Sequence, residues 1–338
     1  MQIKKKAGFF MQTIINDIKT HTFHRIYLLY GEEAYLKRSY KMQLKNAIVR
    51  PDDTMNFHCF EGKGISPKEI IDLAETMPFF SDYRFILIEN SGFFKNSCEE
   101  LAVYVKEIPE TCVFLFVEKE VDRRGKFFKA VKQFGHPVEL TKQSEKKLIP
   151  WIFSILKKEG KKITEANMQL FLTKTGTDME SIANELEKLI CYTYSREVIT
   201  TEDIEAVCCE QITGKIFELI SAISEKRQKK ALELYYDLLL LKEPPMKILF
   251  LLARQFHLLM QVKELSAAHY DFASISKHTG LQSFLIGKYL NQAKHFSSAA
   301  LFQAIQDCTE TEESIKTGQI EDRLGVELLI ISYSQANG

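Results

Sequence analysis

Residues 84–89 read Arg84-Phe85-Ile86-Leu87-Ile88-Glu89, and residues 111–117 read Thr111-Cys112-Val113-Phe114-Leu115-Phe116-Val117. Both runs are almost wholly apolar, too short for typical helices, and rich in β-branched and aromatic residues. They do not alternate apolar with polar as a half-solvated strand would. Such runs form strands covered on both faces, which is the condition of a parallel sheet. Outward from them, Arg25–Tyr30 (RIYLLY) is a third apolar run that ends at Gly31, Asn56–Phe60 a fourth, and Val138–Leu140 a short last one. Helical periodicity fills Glu33–Val49 and Phe127–Phe134. Ser66-Pro67-Lys68-Glu69 carries a Ser cap, a Pro in the first turn and a Glu three residues after the cap, and so predicts a helix start. That helix is expected to end near Met77, because Pro78 disfavours helical geometry in the residue before it. Strands alternating with helices give an α/β domain with a parallel sheet.

From about Ser144 the β signal disappears. Leu148–Lys158, Glu165–Thr175 and Met179–Tyr192 predict three helices, and Thr200/Thr201 start a fourth that runs to Val207. Seven more helical patterns follow from Ile216 to Ser334, with Pro244-Pro245 as a clear break. The expected organisation is an α/β domain over residues 1–140, a small helical domain over 141–211 and an all-helical domain over 212–338.

Composition narrows the function. The 338 residues carry 45 Lys+Arg and 45 Asp+Glu, so the formal net charge is zero, and 45% of residues are hydrophobic. This is a globular mixture, not a disordered one. Zero balance argues against a protein that grips DNA alone through a basic surface. The seven Cys are widely spaced, apart from the adjacent Cys208 and Cys209, with no C-x-x-C, as expected of buried thiols in a reducing cytoplasm. No segment has the roughly 18 consecutive apolar residues of a membrane span, so no membrane partner is expected.

A sheet of this kind invites a nucleotide. A phosphate loop needs Gly-x-x-x-x-Gly-Lys-[Ser/Thr] after the first strand, where backbone N–H groups cradle phosphates. None of the Gly-Lys pairs fits. After the first strand stand Gly31-Glu32-Glu33, whose two carboxylates would repel a triphosphate. The eight His are scattered, and neither a catalytic constellation nor a metal or organic cofactor is expected.

Four stretches, in order, carry a resemblance. They are Tyr27-Leu28-Leu29-Tyr30-Gly31-Glu32-Glu33 with Tyr35-Leu36 after it; Met77-Pro78-Phe79-Phe80-Ser81 followed by RFILIEN; residues 176–189 (GTDMESIANELEKL); and residues 215–240 (KIFELISAISEKRQKKALELYYDLLL) joined to Pro244–Gln261, with residues 313–329 (ESIKTGQIEDRLGVELL) near the end. The chain resembles the delta-subunit family of bacterial DNA polymerase III, the clamp-opening subunits of sliding-clamp loaders. That resemblance implies an AAA+-like first domain, a helical lid and a helical collar. It implies no ATP hydrolysis by this chain: the phosphate loop is missing at Gly31, Glu32 and Glu33. Glu89-Asn90 stand where active relatives carry Asp-Glu for magnesium and water, and Glu180 or a neighbour stands where they place an arginine.

The resemblance also makes Phe79 and Phe80 a hydrophobic pair that enters an apolar pocket on the sliding clamp, the beta subunit, with Met77 as support. The residues alone leave a second reading open, in which both rings cover the sheet edge. The implied partners are the sliding clamp and the other loader subunits (gamma/tau and delta prime), with primed DNA met only within the assembly. Two alternatives remain. One is an active AAA+ ATPase with an atypical phosphate loop, which saturable micromolar ATP binding would reveal. The other is a helical scaffold in another assembly.

Overall fold

The computed structural model describes residues 13–95, 98–208 and 212–335. The chain divides into two compact units, Met1–Ser144 and Glu145–Gly338. The expected boundary between residues 211 and 212 abuts residues 209–211, outside the described residues.

The first unit is built on a five-stranded sheet in the order β2-β3-β4-β1-β5, every pair parallel. The strands are β1 (Ile26–Tyr30), β2 (Phe57–Glu61), β3 (Arg84–Glu89), β4 (Cys112–Glu118) and β5 (His136–Glu139). Every residue of β1 and β4 is buried, which accounts for their continuous apolar sequence. The edge strands β2 and β5 are more polar. Pro137, with no N–H to give to a ladder, sits on the edge strand β5.

Parallel neighbours require crossovers, and helices supply them. These are α1 (Ala34–Ile48), α2 (Pro67–Ala74), α3 (Glu99–Tyr104) and α4 (Lys126–Phe134). One sheet face presents Ile26, Leu28, Ile86, Ile88, Phe114 and Phe116 to Ile70 and Ala74 of α2, Leu101 and Tyr104 of α3, and Phe127, Phe128 and Val131 of α4. α1 buries Leu36, Tyr40, Leu44 and Ile48, one residue per turn along a single stripe.

Two expectations change here. α3 was not legible: it has six residues, and Cys98 at its N-cap makes no side-chain cap bond. α2 starts at the Ser66 cap, whose hydroxyl accepts from the Glu69 N–H, but it stops at Ala74 rather than near Met77. The Thr76 hydroxyl donates to the Leu73 carbonyl at 2.6 Å. The Thr76 and Met77 carbonyls are taken by Arg84 instead of continuing a helix.

In the second unit the helices follow the sequence pattern closely. They are α5 (Glu145–Lys158), α6 (Glu165–Thr175), α7 (Met179–Tyr192), α8 (Thr201–Val207), α9 (Ile212–Ser224), α10 (Gln228–Leu240), α11 (Pro245–Ala267), α12 (Phe272–Thr279), α13 (Ser283–Ala293), α14 (Ser298–Lys316) and α15 (Asp322–Ser334). Thr164, Asp178, Thr200, Asp271 and Ser297 cap five of these starts through side-chain oxygens. The β signal does not vanish after residue 144. β6 (Lys162–Ile163) and β7 (Val198–Ile199) pair in parallel, two residues each, and are too short to leave a periodicity. The 23-residue α11 runs through the core that α9–α15 share, with Ile248, Leu252, Phe256 and Leu259 at its buried stripe.

Candidate functional site

The two ends of the parallel sheet differ in chemistry. At the N-terminal end, the segment between α2 and β3 turns on Arg84, the first residue of β3. Arg84 is buried. Its Nε donates to the Thr76 carbonyl at 3.1 Å, Nη2 to the Met77 carbonyl at 2.9 Å and Nη1 to the Met55 carbonyl at 3.1 Å. Nη1 also lies 2.9 Å from His58 Nε2. One planar, delocalised cation thus serves three main-chain acceptors through donors fixed in a rigid fork.

Asn56, also buried, completes the clasp. Its Oδ1 accepts from the Phe79 N–H at 2.7 Å, and its Nδ2 donates to the Phe79 carbonyl at 2.8 Å. The side-chain amide therefore pairs with Phe79 as a neighbouring strand would. Asp53 orients that amide, accepting from Nδ2 at 2.7 Å and from the Asn56 N–H at 2.9 Å. Those bonds hold the Asp53 carboxyl below its usual range.

The side chains on this backbone point outward. Met77 is 76% exposed, Phe79 57% and Phe80 89%. The two rings meet edge to face with centroids 4.6 Å apart, a favoured aromatic geometry. Rings that covered the sheet edge would be buried, so most of this apolar surface is available to a partner. Phe80 has a φ of 48°, in the left-handed region that a bulky residue adopts only when its surroundings impose it. Met55, 59% exposed, belongs to the adjoining loop, because its carbonyl shares the Arg84 guanidinium with that of Met77. The structure leaves the expected Met77, Phe79 and Phe80 exposed on one loop. Sequence reasoning did not single out Met55, Asn56 or Arg84, whose contacts with the loop and with one another span 7 to 29 residues.

The C-terminal end of the sheet is where nucleotides bind in α/β folds. Here it is closed. Only Gly31, Glu32 and Glu33 separate β1 from α1, and Gly31 has a φ of 121°. A Cβ at Gly31 would lie 2.4 Å from the Leu140 carbonyl oxygen. That same carbonyl accepts from the Glu33 N–H at 3.0 Å, and the Leu140 N–H donates to Tyr30 at 2.7 Å. A phosphate cradle instead aims backbone N–H groups into open space. Glu33 is buried and Glu32 exposed.

Two strands further, at the end of β3, Glu89 receives Lys41 Nζ of α1 at 2.9 Å on both carboxylate oxygens. Asn90 has a φ of 53°, and its N–H donates to Val117. The Ser91 N–H and hydroxyl donate to Glu118 Oε1 at 2.9 and 2.6 Å. Burial nevertheless pushes the Glu118 carboxyl above its usual range, with the Ser91 bonds opposing it. Burial, seconded by Lys119, pushes the Lys37 ammonium down. The structure thus brings Gly31–Glu33 and Glu89–Asn90 to one end of the sheet, with Glu33, Glu89 and Asn90 bound internally and Glu32 exposed. Glu180 stands in the second unit, in the first turn of α7 behind the Asp178 cap, where a carboxylate suits the positive helix end. Among the described residues no group of three or more His, Cys, Asp and Glu is arranged to hold a metal. No helix among them is long and apolar enough to cross a membrane.

Residues 27–141 match the family model for the DNA polymerase III delta subunit, and residues 213–333 match the model for that subunit's C-terminal domain. The chain belongs to the DNA polymerase III delta subunit family. It is 27% identical over 333 residues to the DNA polymerase III subunit delta of Bacillus subtilis (strain 168), covering 95% of this chain and 96% of that one. It is 24% identical over 284 residues to the probable DNA polymerase III subunit delta of Aquifex aeolicus (strain VF5), 80% of each. Among solved structures it is similar to the Bacillus subtilis DNA clamp loader delta protein, with a TM-score of 0.64 and 25% identity over 95% of this chain and 98% of the other. The delta family is thus reached through sequence, and the AAA+-like sheet followed by helices through structure.

Proposed function

We propose that this chain is the subunit through which a clamp loader grips and opens the ring-shaped sliding clamp, and that it does so without hydrolysing ATP. The observation that carries the reading is the Met77–Phe80 loop: Arg84 holds the Met77 carbonyl and Asn56 holds both main-chain groups of Phe79, while the apolar side chains are left exposed. Two aromatics on such a loop are anchors for an apolar pocket. Full burial of each ring contributes about 1.5–3 kcal/mol before the costs of association.

The closed C-terminal end of the sheet supports the second half of the proposal. With Gly31 against Leu140 and Glu89 on Lys41, no cradle for a triphosphate lies there. Partner subunits of the gamma/tau and delta prime kinds would supply hydrolysis. In this arrangement residues 1–140 hold the clamp, 141–211 form a lid and 212–338 join a collar with those subunits. Primed DNA is met within the assembly. ATP binding by the partners would uncover the Phe79–Phe80 element, so that clamp affinity and the partners' state are coupled. The test is a titration of the host's sliding clamp with the full chain and with a Phe79→Ala/Phe80→Ala variant of matching circular dichroism. The wild type binds and the variant binds at least about 10²-fold more weakly; equal affinities would refute the anchor.

A further inference from the structure

The clamp reading names the side chains that touch a partner, but not what holds them in place. A short exposed loop carrying three large apolar residues has no hydrophobic reason to adopt one conformation in water. In this molecule it does so for a polar reason. Phe79 is the only one of the three whose main-chain N–H and C=O are both bound by a side chain, at 2.7 and 2.8 Å, and that side chain, Asn56, is buried. The Met77 and Thr76 carbonyls are bound by one guanidinium, also buried. Phe80 is held at a φ of 48° between this clasp and the turn into β3. Asn56 and Arg84 are themselves fixed: the Asn56 carbonyl accepts from the Phe85 N–H at 2.8 Å, and the Arg84 N–H donates to Thr111 at 2.7 Å. The loop is thus fastened to β2, β3 and β4 through two buried polar side chains.

We propose that Asn56 and Arg84 are positioning residues for the clamp contact, keeping Met77, Phe79 and Phe80 in their binding arrangement before the clamp arrives. The inference rests on the anchor reading above. Its energetic content is a population. If the clasp keeps nearly all molecules binding-competent, and its loss lowers that fraction to about a tenth, apparent affinity falls about tenfold with every contacting side chain still present. The loss falls on association, because fewer encounters meet a formed loop, and dissociation changes little.

The experiment uses the full chain, the host's sliding clamp and a 4-fluorophenylalanine label at Phe80. Asn56→Ala and Arg84→Lys are compared with wild type for association and dissociation rates and for 19F relaxation of the label in the free protein. The proposal expects about tenfold slower association, little change in dissociation and a more mobile Phe80 label in both variants. Should Arg84→Lys fail to fold, Asn56→Ala decides alone. Unchanged affinity in Asn56→Ala, alongside weakened binding in Phe79→Ala/Phe80→Ala, would overturn the positioning role and spare the anchor. Weakened binding with an unchanged label would overturn it too, since the loss would not run through loop order. Undiminished binding by Phe79→Ala/Phe80→Ala would instead remove the anchor itself.

Discussion

The two ends of one parallel sheet are built in opposite ways. At the C-terminal end, the chain's polar groups are turned on one another: Gly31 against Leu140, Lys41 on Glu89, Ser91 on Glu118. At the N-terminal end, the polar groups are also internally satisfied, by Arg84 and Asn56, but the apolar side chains above them face solvent. In α/β folds the first of these ends takes the ligand. Here that end is closed on itself, and the proposed partner contact lies at the other end. Internal satisfaction of polar groups therefore does not by itself separate a structural region from a binding one. What separates them is where the large apolar side chains go.

The sharpest way to break the comparison is at Gly31. Gly31→Ala forces a Cβ against the Leu140 carbonyl at a φ that disfavours any side chain. It is expected to cost about 3 kcal/mol or more of folding stability, read by denaturant unfolding. A neutral outcome would mean that the turn is not as tight as described. Next in size is the clamp affinity lost in Phe79→Ala/Phe80→Ala, with folding stability unchanged, since both rings are exposed. Smaller again is Lys41→Met, which leaves the half-buried Glu89 carboxylate without its cation. It is expected to cost about 1 kcal/mol of stability and to leave clamp binding alone.

The smallest effect concerns Glu118. Its carboxyl titrates higher in the folded chain than the usual carboxylate value of about 4.3. Between those two values the folded state binds more protons than the unfolded state, so wild-type stability falls as pH rises through that window. Glu118→Gln keeps an oxygen for Ser91 and has no proton to lose. The variant should gain on wild type as unfolding is measured from about pH 4 to about pH 8. A stability difference that stays flat with pH would show that Glu118 is not strained by burial.

The strands were legible because burial on both faces forces a continuous apolar run, as in RFILIE and TCVFLFV. The long helices were legible from period and caps, such as Thr164 and Asp178. α3, β6 and β7 were not, because two to six residues do not complete a periodic pattern. Within the site the same distinction holds. Phe79 and Phe80 stand out beside Pro78, but the residues alone left open whether they bind or cover the sheet edge, and the resemblance made them an anchor. Asn56 and Arg84 look like an ordinary polar residue before a strand and a charge at the start of one. Their roles come from partners up to 29 residues away, and Lys41 meets Glu89 across 48. Such pairings are fixed by the parallel register, which one sequence does not display.

The most direct test of the account sets the two sheet ends side by side. The sliding-clamp affinity of Phe79→Ala/Phe80→Ala is measured against that of Lys41→Met, both in the full chain. The account predicts a loss of at least about 10²-fold in the first and wild-type affinity in the second. Wild-type affinity in the first, or a comparable loss in the second, would contradict it.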